Sequence, residues 1–116
     1  MADLLRANPR PDLRVFVIWE PVLLTDWGAP SPSITGAVPD PRVIHFWDPG
    51  RRLSAAYGGA PNLPALAAAE SVGFHMKGVV WDTALVYPAA VPWGHPASVL
   101  LAPVVQYRAD LAAALQ

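Results

Sequence analysis

The chain has 116 residues, 53% of them hydrophobic and 15% charged, with a net charge of −1 and no cysteine. This length supports one core rather than two. The charge balance lacks the basic footprint of a nucleic-acid binder, and no apolar run approaches the roughly 20 residues of a membrane span. The missing cysteines exclude disulfides, thiolate catalysis, cysteine-bound zinc and iron–sulfur clusters.

Residues 1–12 are a polar lead-in with room for a short helix, stopped by Pro9 and Pro11. The lead-in carries an acid and no uninterrupted apolar segment, so no secretory signal is expected and the cytoplasm is the expected compartment. Leu13 to Trp19 reads as a first buried strand. Residues 21–41 contain Pro21, Pro30, Pro32, Pro39 and Pro41 with Gly28 and Gly36, which argues against a long helix. Connections of such length tend to be functional. Val43 to Trp47 reads as the second strand. Asp48-Pro49 offers an N-cap with proline at the first helical position, predicting a helix from about Gly50 to Tyr57 that ends at Gly58-Gly59. Asn62-Leu63-Pro64 opens a second helix by the same logic, with Ala65 to Glu70 as its body. Val79 to Tyr87 is the third strand and Pro88 to Pro96 a turn. Ser98 to Val105 is a fourth strand that Pro103 demotes to an edge or bulge, and Tyr107 to Gln116 is a closing helix. The long first connection predicts a parallel pair, and the short last one an antiparallel hairpin. The expected fold is α/β, a mixed four-stranded sheet with helices packed on it, forming a single domain over 13–116.

Three apolar runs end in tryptophan and an acid: Val15 to Trp19-Glu20, Val43 to Trp47-Asp48, and Val79-Val80-Trp81-Asp82. Pro21 and Pro49 follow the first two acids directly. Such junctions mark where a strand leaves the core. In one mixed sheet the first two strands end at the edge where the third begins. Trp19, Glu20, Asp26, Trp47, Asp48, Trp81 and Asp82 then converge as a rim, with Trp27 near them. A rim of this composition could hold a small cation, an amine or a peptide segment by cation–π contact and carboxylate pairing. The plainer alternative is that Asp48 caps a helix, Asp82 bonds a neighbouring loop and the tryptophans fill the end of the core.

The element order, with Phe16-Val17-Ile18-Trp19-Glu20-Pro21 where a strand leads into Trp-Cys-x-x-Cys, resembles the thioredoxin-like fold. Gly78 to Tyr87 looks like that family's turn and third strand. The resemblance covers roughly residues 13–116. Both active-site cysteines are absent, with Glu20 and Val22 in their region, and Trp81-Asp82 replaces the proline that precedes the third strand. The resemblance therefore implies a Cys-less, non-redox binding platform. Small uncharacterised bacterial proteins with a Trp-Glu-Pro-Val-Leu start and a Phe-Trp-Asp-Pro middle also look similar, and no function comes with that likeness.

Other chemistry finds little support in spacing. His45, His75 and His95 show no close pairing, so no metal is expected. Ser31, Ser33, Ser54, Ser71 and Ser98 stand in no nucleophile elbow, and phosphate or dinucleotide glycine patterns are missing, so no cofactor is expected. The apolar excess predicts a homodimer or a protein partner. The expected function is a binding or interaction module, with a small-ligand binder or enzyme using the Trp/carboxylate rim as the alternative. A purely structural remnant is a third possibility.

Overall fold

The computed structural model describes residues 1–23, 25–58, 79–92 and 94–116. The chain divides into two units, residues 1–52 and residues 53–116, which are taken in turn. The helix expected over Ala65 to Glu70, together with His75 and Trp93, lies outside the described residues.

The first unit begins with helix α1 (Ala2–Ala7), the short helix anticipated ahead of Pro9. Its Leu4 and Leu5 are buried, and Leu5 is fully enclosed. A helix end leaves carbonyls without helical partners. Here one side chain from far along the chain reaches a helix carbonyl and two carbonyls of the segment that follows. Arg42 donates from Nη2 to Leu5 O at 2.7 Å, and from Nη1 to Asn8 O and Arg10 O at 2.5 and 3.2 Å. Asp40 holds the guanidinium in place, with Nε and Nη2 of Arg42 donating to its two carboxylate oxygens at 2.9 and 2.7 Å. Buried Asn8 closes the helix by donating from Nδ2 to Leu4 O at 2.9 Å.

That anchor stands at the mouth of a parallel pair. Strands β1 (Val15–Trp19) and β2 (Val43–Trp47) run side by side, Val15 opposite Val43 and Trp19 opposite Trp47. The parallel arrangement agrees with the long connection between them, which carries one short helix, α2 (Pro32–Thr35). The Asp48 N–H donates to Trp19 O at 2.8 Å, so the ladder reaches one residue past the tryptophans. Period-two alternation divides the side chains. Val15, Val17, Trp19, Val43, His45 and Trp47 share a half-buried face, whereas Phe16, Ile44 and Phe46 stand exposed on the other. These strands were expected to be buried, and none of their residues is.

Helix α3 (Arg52–Gly58) starts later than Asp48-Pro49 suggested. The Arg51 N–H bonds Asp48 O at 3.2 Å, and Arg51 takes a left-handed φ of 51°. Residues 48–51 are thus a turn, and the helix begins at Arg52 rather than at about Gly50.

In the second unit, strands β3 (Ala84–Val86) and β4 (Val99–Leu101) form the expected antiparallel hairpin, Leu85 opposite Leu100. Helix α4 (Arg108–Ala114) packs on β4. Val79, Ala102, Pro103, Leu111 and Ser54 are buried here, and the Ala102–Pro103 peptide is cis.

The expectation of one mixed four-stranded sheet, and with it the thioredoxin-like architecture, is overturned. Two separate two-stranded sheets are present, β1 with β2 and β3 with β4. Apolar runs identify strands but not their neighbours, and the third run is no strand at its tryptophan. Val80 N–H bonds the buried Ser54 Oγ at 2.8 Å instead of a ladder carbonyl. Asp82 sits at φ 45°, outside extended backbone, and Thr83 Oγ1 donates to Trp81 O at 2.8 Å. Those bonds turn the chain before β3, which begins only at Ala84.

Candidate functional site

Parallel register decides which residues meet at the strand ends. With Trp19 opposite Trp47, the two indoles close the same end of the β1–β2 pair. His45, two residues before Trp47, projects to the same face and is a diagonal neighbour of Trp19. The Trp19 indole Nε1–H donates to His45 Nδ1 at 3.1 Å, and the rings stack with centroids 6.1 Å apart and planes 26° from parallel.

The segment after β1 folds over this end. Ser31 is extended ahead of Pro32, which occupies the first turn of α2, where its fixed φ and missing N–H fit. At the end of α2 the Gly36 N–H reaches Pro32 O at 2.8 Å, and a side chain at Gly36 would put its Cβ 2.8 Å from that oxygen. Glycine permits that close approach. Between the segment and the strand ends lies an open-sided pocket of about 190 Å³, lined by Trp19, Ala29, Pro30, Thr35, His45, Phe46 and Trp47. Its walls are mostly aromatic or aliphatic. The Thr35 hydroxyl makes long bonds of 3.4 Å back to Ser31 O and Pro32 O.

The residues expected to form a rim separate into three groups. Trp19 and Trp47 line the pocket. Glu20 and Asp48 follow them at the strand exits, half-buried, but contribute nothing to the lining. Asp26 organises the loop beyond β1: its Oδ2 accepts the N–H groups of Val22 and Leu23 at 2.9 and 2.7 Å. Trp27 next to it is 89% exposed, clear of the pocket. Trp81 and Asp82 belong to the second unit, ahead of β3, where Asp82 O accepts the Val104 N–H at 2.7 Å.

Sequence reasoning passed over His45, Thr35, Ala29 and Pro30. The signal for His45 was its two-residue offset from Trp47 within a strand. For the others no periodicity exists, because a proline-rich connection carries none. In the second unit the hydroxyls of Tyr57 and Tyr87 lie 2.7 Å apart. Burial first, and the Tyr57 hydroxyl second, push the Tyr87 phenol above its ordinary value.

Among the described residues, no group of three or more histidines and carboxylates is placed to hold a metal ion, and no helix is long and apolar enough to cross a membrane. No protein-family model matches the chain, and no curated protein or solved structure is significantly similar to it.

Proposed function

We propose that the chain is a non-redox binding module whose first unit takes a small aromatic or apolar group into the pocket at the end of the β1–β2 pair. The observation that carries this reading is the Trp19–His45 hydrogen bond and stack beside Trp47, which fixes aromatic walls around a space of about 190 Å³. An apolar cavity of about 150 Å³ is enough for benzene, so one ring fits. Among the described residues the lining holds no carboxylate, which favours a neutral guest over a cation. Titration with acetophenone, followed by tryptophan fluorescence, tests the reading. Binding should be saturable, and Trp47→Ala should weaken it about thirtyfold, the loss expected for a well-packed aromatic anchor. Absence of binding, or equal binding by the variant, would contradict it.

A second reading, self-association, is favoured by the other face of the same strands. Phe16, Ile44 and Phe46 are 58%, 43% and 48% exposed, with the two phenyl rings 6.2 Å apart. Parallel strands are normally covered on both faces, and a second copy offers the matching apolar surface. We assign the chain to the cytoplasm, a compartment in which the absence of disulfides is ordinary.

A further inference from the structure

We infer that the pocket selects ring ligands that carry a neutral hydrogen-bond acceptor, because Trp19 sets the tautomer of His45. The inference rests on the pocket being a binding site. An indole N–H can only donate, so the His45 Nδ1 facing it at 3.1 Å carries no proton. The neutral imidazole then holds its proton on Nε2. Among the described residues no hydrogen bond is made to Nε2, and no buried side-chain nitrogen or oxygen lacks a partner, so Nε2–H stays accessible. The Trp47 indole N–H is a second donor with no acceptor among the described residues. Among the described lining residues the other hydrogen-bonding side chain is Thr35, whose hydroxyl donates to Ser31 O and Pro32 O.

Among the described residues the wall therefore offers these donors and carries no formal charge. An ammonium group entering it loses its water and gains no carboxylate. An anion entering it loses its water and meets no cationic side chain among the described residues of the lining. A neutral carbonyl on an aromatic ring meets neither penalty. Trp19 is in this sense a positioning residue: it forms part of the wall and holds His45 as the Nε2–H donor.

Three probes of nearly one shape separate these possibilities in the full-length chain. Acetophenone, isopropylbenzene and 1-phenylethylammonium differ in one substituent, a carbonyl oxygen, a methyl group or an ammonium. By calorimetric titration, acetophenone should bind about tenfold more tightly than isopropylbenzene, the worth of one well-placed hydrogen bond. The ammonium should bind weakest. Nitrogen-15 spectra of the imidazole should show His45 as the Nε2–H form. Trp19→Phe, which keeps a ring in the wall, should release that tautomer and shrink the preference for acetophenone. Equal binding of acetophenone and isopropylbenzene, tightest binding of the ammonium, or an Nδ1–H tautomer would overturn the inference and leave the pocket reading standing. Failure of all three probes to bind would remove both. The wild-type comparison and the tautomer need no variant, so a poorly folded Trp19→Phe does not decide the matter.

Discussion

Asp40 and Arg42 lie two residues apart, and through them the lead-in is joined to β2. The arginine's bond to Asp40 and its backbone N–H, in that order, hold the Asp40 carboxyl down at about 2, below its ordinary 3.8. A carboxyl depressed in the fold stabilises the protein at pH above the ordinary value and loses that contribution as pH falls through the folded one. Stability should therefore decline between about pH 4 and about pH 2, with this pair as a named cause. Asp40→Asn should flatten that part of the curve of denaturation midpoint against pH, and an unchanged acid slope would refute the assignment. The sequence showed both residues but not their task, since the carbonyls they serve lie more than thirty positions away in the chain. His45 was hidden for a similar reason. Its place mid-strand was legible, but its bond to Trp19 depends on parallel register, which the run of apolar residues does not specify.

At the scale of elements, the first strand pair was legible almost to the residue, because Val15–Trp19 and Val43–Trp47 are β-branched and aromatic and are closed by acid and proline. Their parallel sense followed from the length of the connection. The third run misled, because Val79 and Val80 have strand composition but the Val80 N–H goes to Ser54 rather than to a ladder. Ser54 is fully buried and its hydroxyl accepts the Val80 N–H. Ser54→Ala should strand that donor and cost about 1–3 kcal/mol in chemical denaturation. A loss near zero would mean that water or another acceptor replaces the hydroxyl. Proline again explains the short β4: Pro103 has no N–H for a ladder, so the pairing stops at Leu101.

For the molecule as a whole, the apolar excess seen in composition is only partly housed in the two units, since Phe16, Ile44 and Phe46 remain exposed. Light scattering should show a dimer, and Ile44→Lys or Phe16→Lys, both outside the pocket, should shift it to monomer. A wild-type monomer at all concentrations would end the self-association reading. The Trp/carboxylate rim was half legible for a physical reason. Register unites Trp19 with Trp47, while Asp26 turns to its own loop and Trp81 lies ahead of a different sheet. The central claim, that the strand ends and the proline-rich segment enclose a ring-binding pocket, is tested most directly by the indole N–H signals of a proton–nitrogen spectrum during acetophenone titration. The signals of Trp19 and Trp47 should move together and saturate while that of Trp27 stays fixed. Movement of Trp27 alone, or of no indole at all, would contradict the account.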